Sequence, residues 1–175
     1  LLLDEIENDI PEVKLAVATT DVHEYTLSSA KDSYKANGRF ASEEYFNLFS
    51  YSSLKGELNS ALDDKSNIVI SASLAKRIFN STDVIGKSLD WHFWNNSKSV
   101  IVSAVMNDIP SNSSERFDFV MSWDYYHDDM ITFKGWGNYY GRIMVQLHPD
   151  ANVSATNEKI DQILIDKQGS DTVDT

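Results

Sequence analysis

The one stretch in which metal-ligand residue types gather is Asp124, His127, Asp128 and Asp129. On a helix Asp124 and Asp128 share a face, and His127 lies one turn from Asp124. Imidazole and carboxylates so spaced are donors that zinc or calcium accept. The same residues also make an ordinary solvated acidic loop. The other histidines, His23, His92 and His148, are isolated, and no Gly-x-Ser-x-Gly motif occurs. With 7 glycines in the chain, none forms a phosphate-cradling loop. The carboxylate pairs Glu43-Glu44 and Asp63-Asp64 are adjacent in sequence, so each pair diverges; helix capping and solvation account for them. The survey yields no catalytic, cofactor-binding or metal residue, and the expectation is a protein that is not an enzyme.

Aromatic residues raise a second chemistry, because ring faces stack on sugars. Trp91, Phe93, Trp94, Trp123, Trp136, Tyr139 and Tyr140 are the candidates. Trp91 and Phe93 point the same way on a strand and Trp94 points oppositely. The competing reading is a core between sheet and helix. Four glycosylation sequons, at Asn80, Asn95, Asn112 and Asn152, are the chance yield of an Asn/Ser-rich chain.

Elements must position these residues, and the composition supports a real core. The 175 residues are 42% hydrophobic and 11% aromatic, enough for one domain or two intertwined ones. The net charge of −12 repels phosphate backbones and anionic leaflets, so nucleic acid is excluded as a partner. No cysteine is present, so no disulfide or thiolate metal site exists. No apolar run approaches the roughly 20 residues of a membrane-spanning helix. Leu1-Leu2-Leu3 followed by Asp4-Glu5-Ile6-Glu7 reads as the end of a helix cut from a longer protein.

Periodicity predicts helix over residues 1–9, ended by Ile10-Pro11, and a strand over 13–20 that residues 23–27 extend. A strand over 34–40 follows. Ser42 is the expected N-cap of a helix over 43–49. A strand at 67–70 leads through a Ser71 cap into a helix over 72–79. Strands over 88–94 and 100–106 flank a hairpin tip at Asn95-Asn96-Ser97. A strand at 117–121 precedes a helical stretch capped by Ser122. A strand at 142–147 and an amphipathic helix over 157–167 close the chain. Short elements in mixed order make the class α+β.

Three stretches together resemble the periplasmic core domain of MacB/FtsX-type ABC transporter permeases. The first is Tyr45-Phe46-Asn47-Leu48-Phe49 with Leu54-Lys55-Gly56-Glu57. The second runs from Asn67 through Ser71-Ala72-Ser73-Leu74-Ala75-Lys76 to Phe79, then Asp83-Val84-Ile85-Gly86-Lys87. The third is Val100 to Met106, Asn107-Asp108-Ile109-Pro110-Ser111-Asn112-Ser113, and Phe117-Asp118-Phe119. Met144 to Ala151 adds a weaker match. Asn80, Val84, Ser103 and Ser114 depart from the family's usual Gly, Pro, Gly and His; Asn80 is a gentle change, since Asn tolerates the left-handed conformation at a helix end.

The resemblance implies an insert between the first two transmembrane helices of a permease, projecting outside the cytoplasmic membrane on a helical stalk. It implies a Porter-like βαβ part built from residues 1–64 and 136–175, and an inserted β-rich, Sabre-like part at 65–135. The expected partners are a second permease copy in a dimer, an ATP-binding subunit reached through the transmembrane helices, and a periplasmic adaptor or lipoprotein. The implied function is mechanical coupling of cytoplasmic ATP hydrolysis to movement outside the membrane. The alternative is a carbohydrate- or peptide-binding module of a surface protein.

Overall fold

The computed structural model describes residues 2–30, 32–132 and 140–171, with side chains as far as Lys167. Trp136 and Tyr139, two of the candidate aromatics, lie outside the described residues. The architecture is mixed α+β, dominated by strands.

The chain enters through α1 (Leu2–Asp9), then β1 (Val13–Thr19), β2 (His23–Ser28) and β3 (Ser33–Ala41). After α2 (Tyr45–Leu48) and the short strand β4 (Ser53–Lys55) come β5 (Asn67–Ser71) and α3 (Ala72–Phe79). The β6 (Ser88–Phe93) and β7 (Asn96–Met106) hairpin follows, then β8 (Phe119–Ser122) and α4 (Trp123–Tyr125). The chain closes with β9 (Arg142–Leu147) and α5 (Val153–Asp171).

Among the described residues the strands form one sheet in the order β2-β6-β7-β5-β8-β3-β1-β9, and β4 adds to the side of β7. A further β2–β3 pairing closes the run from β2 to β3 into a ring. Closure removes the exposed edges an open sheet would present. β1 and β9 extend from this ring as a two-stranded arm, attached where Thr19 meets Ala41.

Alternation fills the enclosed face. Tyr25, Leu27, Phe40, Ile70, Trp91 and Phe119 belong to one buried cluster, drawn from alternate positions of their strands. Trp91 is completely buried among these side chains. The opposite sheet face carries Val17, Val69, Ala104, Met106 and Val120, covered by Tyr45 and Phe46 of α2 and by Leu58 and Leu62. A third cluster joins Ile6 and Ile10 to Ala16, Val145, Ile160 and Ile163, seating α1 and α5 on the arm.

Gly38 shows why sequence identity matters in the ring. A Cβ at this position would run into the Phe119 ring on the neighbouring strand. Glycine here lets an aromatic side chain lie across the backbone.

Local chemistry sets several boundaries. Ser71 Oγ accepts from Leu74 N–H at 3.2 Å, capping α3, and Asn80 ends it with φ 53° in the left-handed region. Asn152 Oδ1 accepts from Ala155 N–H at 3.1 Å at the start of α5.

Other boundaries differ from expectation. Ser42 does not cap a helix: its Oγ accepts from Ala18 N–H at 3.0 Å, tying β1 to the α2 segment, and α2 spans only Tyr45–Leu48. Ser122 likewise makes no side-chain cap. Residues 23–27 continue the course of the first strand after a break at residues 20–22: Thr19 pairs with Ala41 and His23 with Gly38 along the same antiparallel partner β3, and β2 pairs on its other side with β6. The hairpin tip falls at Trp94-Asn95, because Phe93 pairs with Asn96. α5 begins four residues earlier than its apolar stripe suggested, at Val153.

Candidate functional site

Polar side chains join three parts of the fold. The first component is the pair α1 and α5. Lys167 binds Glu5 and Lys159 binds Glu12. As one segment runs from Glu5 to Glu12 its partner runs back from Lys167 to Lys159, so the two run antiparallel and side by side. The hydrogen bond from Lys167 holds the Glu5 carboxyl below the ordinary glutamate range, and Lys159 does the same for Glu12.

The second component links ring and arm. Arg39 of β3 is 3% exposed, an unusual burial for a guanidinium. Its two terminal nitrogens are paired, Nη2 with the Glu115 carboxylate and Nη1 with Tyr45 Oη, to which it donates at 3.1 Å, while the buried Nε has no hydrogen-bond partner. Its guanidinium also lies over the Phe117 ring at 5.2 Å, a cation–π contact. Glu115 is in turn 3.8 Å from Arg142 of β9, and Arg142 reaches Asp21 at 2.6 Å. One chain of charges therefore runs from β3 of the ring, through the loop before β8, to the arm. Burial pushes the Tyr45 hydroxyl well above its ordinary range, keeping it neutral beside Arg39.

The third component is a cleft of about 320 Å³ under α1. Glu7, Glu43, Glu44, Asp63 and Asp124 line it, with no Lys or Arg among its described lining. Asp63, above all, raises the Glu43 carboxyl, with smaller contributions from burial, Glu44 and Asp124. Burial first, then Asp4 and Glu44, raises Glu7.

The metal-type residues are placed as follows. Asp124 faces the cleft, while His127 Nδ1 lies 2.8 Å from Asp128 Oδ1. The helix predicted across them changes character: α4 gives way to a π-turn at Tyr126–Met130, and Asp124 lines the cleft while Asp128 pairs elsewhere. Lys65 takes Asp128 at 2.8 Å and Asp129 at 3.5 Å. Among the described residues no group of three or more His, Asp or Glu is arranged to hold a metal ion. The aromatic platform also divides. Trp91 is core, Phe93 and Trp123 are half-buried, and Trp94 is 90% exposed.

Sequence reasoning overlooked the working polar residues. Asp108 accepts from Ser73 N–H at 2.8 Å and from its hydroxyl at 2.6 Å, fixing the loop after β7 to the start of α3. Asp118 Oδ2 accepts from Asn37 N–H at 2.9 Å. Ser103 sits at the bulge between β5 and β7 and donates to the Ala61 carbonyl at 2.7 Å. A signal was present for Arg39: a lone cation in the otherwise uncharged end of a strand.

A closed ring of strands, a two-stranded arm and paired terminal helices together define a strand-dominated α+β domain. Residues 2–163 match the MacB-like periplasmic core domain family, and the chain belongs to that family. Its fold is shared by a domain of a protein assigned as a permease from Porphyromonas gingivalis, at 23% identity and TM-score 0.78, covering 94% of this chain and 75% of that one. The periplasmic region of MacB from Actinobacillus actinomycetemcomitans is similar at 17% identity and TM-score 0.71, covering 96% and 73%. The extracellular domain of the ABC-type transporter YknZ from Gram-positive bacteria gives 17% and 0.69, covering 96% and 82%. No curated protein matches the chain. Among the described residues no helix is long and apolar enough to cross a membrane.

Proposed function

We propose that this domain works outside the cytoplasmic membrane as the moving part of an ABC transporter permease, transmitting motion driven by ATP hydrolysis on the other side. The observation that carries the reading is the antiparallel pairing of α1 with α5, joined by Lys167 and Glu5, with Lys159 held by Glu12 in the turn after α1, and both helices seated on β1 and β9. Two helices so joined turn a displacement at their free ends into rotation of the whole body. The buried Arg39 chain then passes that rotation from the arm to the ring.

The partners in this reading are a second copy of the permease, an ATP-binding subunit acting through transmembrane helices, and an extracytoplasmic adaptor or lipoprotein. Within the domain, residues 1–64 with 136–175 form the membrane-proximal part and 65–135 the inserted part. The layer of α1, β1, β9 and α5, drawn from both ends of the sequence, supports the first, although β2 and β3 from the N-terminal segment join β5 to β8 in the ring.

The test uses the intact permease in liposomes with its ATP-binding subunit. Spin labels at exposed Lys76 on each copy report the distance between the two domains. Addition of ATP should shift that distance distribution, and an Arg39→Met variant should shrink the shift while hydrolysis continues. Distances indifferent to nucleotide would sink the proposal.

A further inference from the structure

The exposed tip of the β6–β7 hairpin is not used in joining these parts of the fold. Trp94 takes φ 54° at the first of its two turn positions. Glycine and asparagine fill that region readily, whereas a bulky residue pays steric strain there. The strain brings no burial in return: the indole is 90% exposed, against a Trp91 that is wholly buried. Phe93 props it edge-on, with ring centroids 6.2 Å apart at 67°. A strained, solvated tryptophan held on a rigid hairpin is a group presented for contact.

The surroundings indicate what it contacts. From Trp91 to Asn107 there is no Asp or Glu, in a chain that carries 27 of them. The tip continues as Asn95, Asn96 and Ser97, all exposed. An apolar socket or a bilayer would call for an aliphatic collar, and an anionic ligand for cations, whereas the nearby Lys98 is engaged over the Tyr125 ring at 4.2 Å. Carboxamides and a hydroxyl beside a free aromatic face instead suit an uncharged ligand with one apolar ring face and many hydroxyl or acetamido groups.

We infer that the Trp94 tip is a surface site for a neutral glycan bearing N-acetylhexosamine units, with the indole stacking on a sugar face and the Asn95 and Asn96 amides meeting its polar substituents. The site is separate from the mechanical reading, and either can fail alone.

Titration of the 175-residue chain with N-acetylglucosamine trisaccharide, followed by tryptophan fluorescence, tests it. The wild type should give a saturable change at millimolar sugar. Trp94→Gly should lose that response at least tenfold. The same variant should melt about 2 °C higher, since glycine relieves the left-handed strain, which shows that it folds. A wild type that ignores the sugar, or a variant that responds equally, overturns the inference. So does flotation of the wild type with phosphatidylethanolamine–phosphatidylglycerol vesicles, lost in Trp94→Gly, without any sugar response.

Discussion

Lys167, near the end of α5, is ion-paired with Glu5 in α1, so the helices that open and close the fold are bound to each other as well as to the sheet. The pair lies at the surface, where a single salt bridge adds little to stability. Its value is geometric: it adds a fixed point to two helices that the core holds through Leu2, Leu3, Ile6, Ile10, Ile160 and Ile163.

Reversing one charge should loosen this register. Lys167→Glu is expected to speed amide exchange across Leu2–Asp9 severalfold, with little change in the ring strands. The double variant Glu5→Lys with Lys167→Glu should restore protection. Equal exchange in all three proteins, read by hydrogen–deuterium mass spectrometry, would show the pair to be idle.

Arg39 should be far less tolerant. Arg39→Met leaves the Glu115 carboxylate without its main buried partner and Tyr45 Oη with only the 3.4 Å contact to Tyr51 Oη. Breaking such an arrangement is expected to cost about 3 kcal/mol in urea unfolding. Glu115→Gln should cost about 1 kcal/mol, because that side chain is 42% exposed and water can replace the contact.

Gly38→Ala should be destabilising by about 2 kcal/mol, since the new methyl meets the Phe119 ring. Thermal unfolding measures it. Shortening the ring in Gly38→Ala/Phe119→Leu should recover part of the loss; strictly additive effects would mean the two residues do not meet.

The acidic cleft predicts a pH dependence of definite sign. Asp63 holds the Glu43 carboxyl above its ordinary value of 4.5. The folded protein thus binds this proton more tightly than the unfolded chain. The resulting stability is fully present below 4.5 and is lost as pH rises through the raised value. Glu43→Gln should therefore raise the melting temperature at pH 7 by about 1 °C and change it negligibly at pH 4. Glu5 and Glu12 act oppositely: their lowered values give stability present above the ordinary glutamate range and lost on acidification. Comparing variant with wild type at each pH isolates Glu43 from them. A gain of the same size at both pH values would rule the cleft out as its cause.

Local order was legible in the sequence by itself. Alternation located β1, β6 and the second half of β7, because a half-buried strand repeats every second residue, and β-branched residues located the buried β5. Ser71 and Asn80 announced both ends of α3, since capping depends on side chains within a turn of the helix end. The motif resemblance was enough to name the family. Tertiary structure alone decided who meets whom. β3 runs parallel to β8, β2 closes the ring on β3, and Arg39 finds Glu115 from a distant loop. Ser42 serves Ala18 instead of its own helix, and five carboxylates from separate segments face one cleft. Periodicity reports which face of a segment is buried; it carries no address for the partner, because pairing and charge neighbours are settled by the packing of the whole chain.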